Sequence, residues 1–351
     1  MILHGTTGPS GASNMSVKIA LVGEAWGEKE EEAGAPFVGT SGWLLDQMLS
    51  QAGISRSECL VTNVFNLRPR PSNDIKNLCG PRTTAVPNMP QLMAGKYIRA
   101  EYAPELERLY EEIRRADPNV VVTLGATAAW AFLHTSGIKS IRGATTVTHQ
   151  WVSDRLGRPY KVLPTYHPAA VAREWSLRPV VIADLDKARR QSDSPEFTRP
   201  SRSIWLRPTL LDLANYERDF ISPAESLAAD IETKQDQITC IGFAPSPDTA
   251  IVIPFFLENG SNYWGSLAEE LAAWNYVRHW LAMKPTTFQN GLYDINFLWS
   301  RYGIPVPLAS EDTMLLHHAM QPEMEKGLAF LASVYTEEAS WKFMGKGKKH
   351  D

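Results

Sequence analysis

The sequence predicts an α/β fold with a mostly parallel sheet. Several short runs are apolar from end to end, as strands buried on both faces are, and segments with helical spacing separate them. A polar, proline-bounded stretch over residues 191–200 interrupts this pattern, which restarts beyond it. We therefore expect two domains, over residues 16–190 and 201–351, joined by that linker.

Strands and helices alternate through the first predicted domain. One helix begins after Ser41 and stops at Gly53, a second covers about 101–116, and an alanine-rich helix follows Gly125. The predicted strands are VKIALV (17–22), CLVTNVF (59–65), NVVVTL (119–124) and residues 160–165. This alternation is typical of a parallel sheet with helices packed on it.

Three polar segments of this half are not assigned to strands or core helices. Residues 1–15 are expected to be a flexible leader that is rich in glycine and serine. Residues 68–93 form a long loop, a kind of segment that is usually functional or mobile. The glutamates of EKEEE (28–32) are expected to form a solvated acidic face near a helix start.

The second predicted domain begins with a strand that carries Asp230 and Glu232. The segments QITCIGFA and TAIVIPF then alternate between apolar and less apolar positions, as neighbouring antiparallel strands do. Helices are expected around 266–283 and 291–302.

Composition and charge exclude several classes of protein. With 44% hydrophobic and 21% charged residues the chain is typical of a soluble globular protein, and no stretch is apolar for long enough to span a bilayer. The net charge of −4 argues against non-specific coating of DNA, but not against an enzyme with a local basic groove. The three cysteines, Cys59, Cys79 and Cys240, form no close pair, which favours reduced thiols in the cytoplasm over disulfides or a zinc site.

Polar groups follow three of the predicted strands. They are Gly23–Gly27, Asn63 and His167. In open α/β sheets ligands bind where the parallel strands end, so we expect these residues to line one crevice. That crevice offers backbone donors, one amide and one imidazole.

Four motifs in this order resemble those of the family-4 uracil-DNA glycosylases: GEAWGEKEEEAGAPFVGTSGWLLDQML, TNVFNLRP, VVVTLG and TYHPAAV. The resemblance covers about residues 17–190 and implies a three-layer α/β/α domain with a parallel sheet. It also implies that Glu24 and Ala25 lie beside the scissile glycosidic bond, where a water must be held. By the same resemblance Gly23 belongs to the base-binding pocket.

The resemblance further implies three roles in recognising and releasing the base. Phe37 would stack on the flipped base, Asn63 would read its edge, and His167 would donate to the carbonyl oxygen that becomes negative. These residue types suit the chemistry, since a base must leave the duplex before it is held by stacking and edge hydrogen bonds. The Asn63 amide both donates and accepts hydrogen bonds, which allows it to distinguish uracil from cytosine. A fixed donor such as His167 stabilises the anionic leaving group.

The sequence departs from that family at two places. Trp26 replaces the usual proline of the glycine motif. The family typically carries four cysteines that hold an iron–sulfur cluster, but Leu67 takes the place of one, Cys79 matches another at most, and no pair precedes Val17. Two cysteines in this domain cannot supply four thiolates, so no iron–sulfur cluster is expected.

The second half carries a set of carboxylates. Asp230 and Glu232 share one face of a strand, while Asp294 ends QNGLYD and Asp312 lies in EDTM. Gathered carboxylates repel one another unless cations bridge them, and oxygen ligands favour Mg²⁺ or Mn²⁺. Two such ions can support phosphodiester hydrolysis.

The motifs DIET, N-x-x-x-D in QNGLYDINFL, and EDTMLLHHAM resemble the DEDD-type 3′–5′ exonuclease domain of family A DNA polymerases. The resemblance implies a partial RNase H-like domain with a mixed sheet and helices. It implies that Asp230, Glu232 and Asp294 bind the metal ions, that Asn290 is the conventional asparagine, and that Asp312 is accessory and structural. The family's third motif, Tyr-x-x-x-Asp, is missing, and Tyr335 does not replace it.

We therefore expect the exonuclease to be weak or inactive. We also expect the chain to be a fragment of a longer polypeptide, one that could continue into a polymerase. The leading interpretation is a DNA repair and replication enzyme of bacterial or bacteriophage type, acting in the cytoplasm of the bacterial or infected cell on uracil in single- or double-stranded DNA. Two alternatives stay open. In the first alternative, the first domain is an inactive module that binds uracil or single-stranded DNA and tethers a polymerase. In the second, it is an enzyme whose substrate is a modified pyrimidine or a deaminated purine.

Overall fold

The computed structural model describes residues 17–197 and 200–338. These residues divide into two compact units, the first formed by 17–197 together with 329–338, and the second by 200–328. The predicted leader, residues 1–15, lies outside the described residues. The range predicted for the second domain, 201–351, includes the segment 329–338, which packs with the first unit.

The first unit is built on a mostly parallel sheet. Its strands among the described residues are β1 (Ile19–Ala25), β2 (Cys59–Phe65), β3 (Cys79–Gly80), β4 (Tyr97–Ile98), β5 (Val120–Leu124), β6 (Thr146–Val147) and β7 (Lys161–Thr165). Five of them form one sheet in the order β2-β1-β5-β7-β6, in which β6 is an antiparallel edge and the other four are parallel. The strands β3 and β4 pair with each other. The predicted α/β class with a mostly parallel sheet is confirmed.

Helices cover both faces of this sheet. They are α1 (Glu28–Ala33), α2 (Thr40–Gln51), α3 (Ala103–Ala116), α4 (Ala126–Leu133), α5 (Ile138–Ile141), α6 (Gln150–Leu156), α7 (Pro168–Arg173) and α8 (Arg178–Gln191). Ala20 and Val22 belong to a core shared with α3, α4 and α6, whereas Leu21 belongs to a second core shared with α2 and α8. Since successive strand residues point to opposite faces, the unit has three layers.

The long loop after β2 is packed against the protein. Its apolar side chains are buried in the core that contains α3 and α4; they are Ile75, Leu78, Val86, Met89 and Leu92. Trp130 of α4 donates from Nε1 to the Pro90 carbonyl at 2.8 Å. These apolar residues are scattered singly among polar ones, so the sequence shows no periodic signal there, and tertiary packing orders the segment.

The second unit contains a mixed sheet covered by helices. Its strands among the described residues are β8 (Ser203–Leu206), β9 (Leu227–Lys234), β10 (Gln237–Ser246), β11 (Thr249–Pro254), β12 (Thr286–Phe288) and β13 (Ala309–Asp312). Their order is β13-β12-β9-β10-β11-β8, with antiparallel pairing of β10 to β9 and β11 and parallel pairing elsewhere.

One apolar core holds the second unit together, with Trp280 and Phe243 fully buried in it. The helices are α9 (Leu210–Tyr216), α10 (Leu267–Met283), α11 (Leu292–Tyr302) and α12 (Thr313–Met320), and a π-helical turn spans Glu217–Ile221. The predicted helices at 266–283 and 291–302 correspond to α10 and α11. The assignment of this unit to the RNase H-like fold stays a prediction. None of the described helices is long and apolar enough to cross a bilayer.

Residues 329–338 return to the first unit through helix α13 (Leu328–Tyr335). The buried ammonium of Lys187 donates to the carbonyls of Gly143 at 2.7 Å, Ser333 at 2.7 Å and Thr336 at 2.6 Å. The buried lysine therefore fastens the end of α13 to α8 and to the segment before β6.

Candidate functional site

The carboxyl ends of β1, β2 and β7 open into one cleft of about 640 Å³. Five predicted site residues line it: Glu24, Ala25, Phe37, Asn63 and His167. The sixth, Gly23, pairs with Asn63 in the register of β1 and β2. Parallel strands that end at one edge bring these positions together, as expected from the sequence.

Gly23 leaves the space that two of these side chains occupy. A Cβ atom there would lie 2.2 Å from Asn63 Oδ1 and 2.5 Å from Phe37 Cζ, distances that no real contact tolerates. The amide and the phenyl ring therefore both lie directly over the backbone of β1. Asn63 is buried, at 2% exposure.

Phe37 adopts a left-handed backbone conformation, with a φ of 54°. This region is unfavourable for a bulky residue and persists only where surrounding contacts impose it. Arg56 supplies such contacts, since its Nη2 donates to the carbonyls of Pro36 at 3.0 Å and Phe37 at 3.2 Å. The Phe37 and His167 rings stack with centroids 5.7 Å apart and 27° between their planes. No local pattern in the sequence marks Arg56 as part of the site.

His167 is placed to act as a neutral hydrogen-bond donor. Burial, reinforced by the positive charge of Arg173, lowers the pKa of its imidazole to about 4. Its Nδ1 accepts from the backbone N–H of Ala169 at 3.1 Å at the start of α7. A neutral imidazole carries one proton, so that proton is assigned to Nε2, which is left to donate.

Glu24 ends β1 beside the start of α4. Burial raises the pKa of its carboxyl, and the charge of Asp74 adds to this effect, while a hydrogen bond from Thr127 and the charge of Arg173 lower it. Thr127 Oγ1 donates to Glu24 Oε2 at 2.5 Å. The sequence offers one signal for Thr127: it is a lone hydroxyl in an alanine-rich helix, and a buried hydroxyl needs a polar partner.

The acidic run of α1 is not a uniformly solvated face. Glu30 accepts from the backbone N–H of Gly27 at 3.2 Å through Oε2 and from that of Gly39 at 2.9 Å through Oε1. It thereby ties the glycine turn after β1 to the start of α2, and the prediction of a solvated face is wrong for this residue. Trp26, which also lines the cleft, has a buried Nε1 without a hydrogen-bond partner among the described residues.

The cysteines do not fit an iron–sulfur cluster. The sequence contains three, of which Cys59 and Cys79 belong to the first unit. Each thiol donates to a nearby backbone carbonyl, Cys59 to Ser55 and Cys79 to Ile75. Burial raises the pKa of Cys59 to about 11, so its thiolate is disfavoured. A four-thiolate cluster cannot be assembled from this donor set.

The carboxylates of the second unit lie around β9. Asp230 and Glu232 point to the exposed face of the strand, and Asp294 is buried at 4% exposure, its Oδ1 accepting from the backbone N–H of Ile231 at 3.0 Å. Burial raises the pKa of Asp294 to about 6, and the charge of Asp230 adds to it. Within residues 17–197 and 200–338, no three His, Cys, Asp or Glu side chains lie close enough together to hold a metal ion. The binding of metal ions by Asp230, Glu232 and Asp294 stays a prediction.

Asp312 and Asn290 shape the loop before α11. Asp312 accepts from the backbone N–H groups of Asn290 at 3.1 Å and Gly291 at 2.7 Å, and it caps α12 through Met314 at 2.8 Å. Burial acts to raise the pKa of this carboxyl, but these backbone donors hold it below its usual value. Asn290 adopts the left-handed conformation, with a φ of 59°, which asparagine tolerates.

Known proteins resemble the first half of the chain. The family model of the Uracil DNA glycosylase superfamily matches residues 10–188. The type-4 uracil-DNA glycosylase of Thermotoga maritima is 33% identical over 183 residues, covering 51% of this chain and 80% of that protein. The type-4 enzymes of Archaeoglobus fulgidus and Pyrobaculum aerophilum are 34% and 31% identical over 182 and 175 residues, each covering 50% of this chain and 78% of the relative.

Proposed function

The chain belongs to the uracil-DNA glycosylase superfamily, and on that premise we propose that its first unit hydrolyses the N-glycosidic bond of uracil flipped out of DNA. The observation that carries the proposal is the convergence of Phe37, Asn63 and His167 on the cleft beside Glu24. One cleft thus offers a stacking ring, an amide for the base edge, a neutral donor and a carboxylate.

Each group has a distinct part in the proposed reaction. The base stacks on Phe37 while the Asn63 amide pairs with its imide edge. As the bond between the sugar C1′ and the base nitrogen breaks, its electrons pass to the base, and Nε2–H of His167 stabilises the negative oxygen. A water held by Glu24 adds to C1′, and the carboxylate takes up the proton that the water loses.

The test is the formation of abasic sites in single-stranded oligonucleotides that carry one uracil, followed by alkaline cleavage. We expect product with the native chain and about 10²–10³-fold slower excision in His167→Ala, the usual cost of losing one donor to a developing anion. Asn63→Ala should slow the excision of uracil and lower the ratio of uracil to cytosine excision. His318→Ala, a change at an exposed histidine of the second unit, serves as the control.

Two other results would replace the proposal. Binding of the uracil oligonucleotide without abasic sites would establish a module that grips DNA, with Trp26 in place of the family's proline as the first position to restore. Excision of hypoxanthine or hydroxymethyluracil in preference to uracil would establish another base as the substrate.

For the second unit we propose a nuclease-type domain. The alternation of β9, which presents Asp230 and Glu232 on one exposed face, and the approach of Asp294 to the same strand support the proposal. With a 5′-labelled oligonucleotide and Mg²⁺ or Mn²⁺, we expect loss of 3′ nucleotides that is abolished in Asp230→Asn. Loss of 3′ nucleotides at the same rate in Asp230→Asn, or without a divalent metal ion, would contradict the proposal.

A further inference from the structure

Thr127 is the second residue of α4 and is buried, at 2% exposure. Its Oγ1 donates to Oε2 of Glu24 at 2.5 Å, across 103 residues of sequence. Apart from the indole N–H of Trp130, the other side chains of α4 (Ala126–Leu133) carry no polar group, so this is the single hydroxyl of the helix. Burying a hydroxyl costs free energy unless it is hydrogen-bonded, and here the partner is a carboxylate of the cleft.

The two oxygens of the Glu24 carboxylate differ in their hydrogen bonding. A hydroxyl has one hydrogen to donate, and Thr127 gives it to Oε2. That bond fixes the carboxylate on the side of α4, and Glu24 also lines the cleft. Oε1 is then the oxygen available to a water that approaches from the cleft.

We propose that Thr127 is a positioning residue for base excision: it holds Oε2 of Glu24 so that Oε1 orients the attacking water. This inference rests on the proposed glycosylase function and deepens it. A hydrogen bond to an ionised group is stronger than one between neutral groups, which suits a carboxylate that must stay charged in a buried place.

The charge of Glu24 is balanced by groups from several elements. Burial raises the pKa of its carboxyl most, Thr127 is the largest influence that lowers it, Asp74 from the loop raises it, and Arg173 at the end of α7 lowers it. The other charged or titratable side chains that line the cleft are Glu28, Lys29, Glu30, Tyr166 and His167. Without the Thr127 donor the pKa of Glu24 rises, so a smaller fraction is ionised at a given pH.

The experiment compares Thr127→Val, which keeps the shape and removes the hydroxyl, with Thr127→Ser, which keeps the hydroxyl. Single-turnover excision of uracil is measured between pH 4.5 and 8.5, together with oligonucleotide affinity and thermal melting. We expect excision by Thr127→Val to be about ten- to a hundredfold slower, because the loss of a hydrogen bond to a charged group changes a rate by about that factor. The affinity for the oligonucleotide should be unchanged, and the acid limb of the pH profile should move to higher pH. Thr127→Ser should retain the native acid limb.

Thr123→Val is the matched control. Thr123 lies on the neighbouring strand β5, is fully buried, and its Oγ1 has no hydrogen-bond partner among the described residues, so excision should stay native. A second readout does not need activity: NMR titration of the glutamate side-chain carboxyls, with Glu24→Gln to assign the signal. We expect the Glu24 pKa to be higher in Thr127→Val than in the native chain.

The possible outcomes distinguish a failure of the Thr127 inference from a failure of the proposed glycosylase function. A native chain that makes no abasic sites defeats the proposed function and the inference with it. An active chain in which Thr127→Val keeps the native rate and acid limb, or in which the Glu24 titration does not move, defeats the inference alone. An equal loss in Thr127→Ser would also overturn it, because the hydroxyl would then not be the group that matters.

Discussion

Gly23 shows how one residue shapes the cleft. The space above its Cα is filled by the Asn63 amide and the Phe37 ring, at distances that exclude a Cβ atom. Glycine is required here because of that close approach and not because of an unusual backbone angle. The absence of one methyl group is what allows the two side chains to take their places.

We predict that Gly23→Ala slows uracil excision by at least about 10²-fold, because a displacement of about 1 Å in a reacting site costs that much. Abasic-site formation under single-turnover conditions measures the effect. Gly242→Ala is the control, since a Cβ there would meet its nearest atom, the Asp230 carbonyl oxygen, at 4.0 Å. Native excision by Gly23→Ala would show that Asn63 and Phe37 do not hold the base in these positions.

The depressed pKa of His167 predicts how stability responds to acid. In the unfolded chain a histidine binds a proton near pH 6.5, whereas in the folded chain His167 does so only near pH 4. Between those values the unfolded state holds more protons, so the stability contributed by His167 is present above pH 6.5 and is lost as the pH falls toward 4.

The measurement is calorimetry of the native chain and of His167→Gln at pH 7.5 and pH 5. We expect the melting temperature of the first unit to fall less in the variant, by roughly 4–8 °C, which corresponds to about 2 kcal/mol for a unit of this size. The exposed His318 provides the control substitution, His318→Gln. An equal fall in native chain and His167→Gln would rule out a neutral buried imidazole.

At the scale of elements, α13 depends on a lysine of α8. Lys187 is buried at 1% exposure and is the shared donor for the carbonyls of Gly143, Ser333 and Thr336. Nearby, the buried pair Arg142 and Asp184, 2.8 Å apart, holds the segment before β6 against α8. Residues 329–338 are thus part of the first unit, although they follow the second in sequence.

Lys187→Met should destabilise the first unit by about 1–3 kcal/mol, since buried carbonyls lose their donor and must stay unpaired. Thermal melting gives the magnitude, and proteolysis within residues 329–338 should become faster. Lys139→Met, at an exposed lysine of α5, should leave both unchanged. If Lys187→Met melts and resists proteolysis like the native chain, the lysine does not fasten α13.

At the scale of the molecule, each unit encloses its own apolar core. Trp130 is fully buried in the first and Trp280 in the second, so the same substitution can be placed in either. Replacing a buried tryptophan by alanine costs about 3–5 kcal/mol, a large part of the stability of a domain.

We expect Trp280→Ala to lower the melting temperature of the second unit and leave uracil excision at the native rate. Trp130→Ala should lower that of the first unit and reduce excision. Calorimetry combined with the abasic-site assay measures both properties. Loss of excision in Trp280→Ala at a temperature where the first unit stays folded would show that excision depends on the second unit.

Much of the first unit and its cleft could be predicted because the signals are local. Runs such as VVVTL are apolar throughout because the strands are covered on both faces, and the structure has β1, β2, β5 and β7 close to the predicted positions. Asn63 and His167 could be expected at one edge since the parallel strands that carry them end on the same side of the sheet.

The missed features depend on contacts between distant residues. Thr127 meets Glu24, Arg56 meets the Phe37 carbonyl, Glu30 bridges two glycines and Lys187 reaches α13, and none of these partners is marked by spacing in the sequence. The order of the loop 68–93 and the return of residues 329–338 to the first unit have the same origin.

The amino-acid sequence by itself determined the strands, the parallel α/β class and the edge at which the polar groups gather, because hydrophobic pattern and strand direction are local properties. Only the tertiary structure decided which oxygen of Glu24 is held, which nitrogen of His167 can donate, and that Asp294 reaches the backbone of β9. Those outcomes depend on burial and on directional contacts between side chains far apart in the chain, which exist only once the cores have packed.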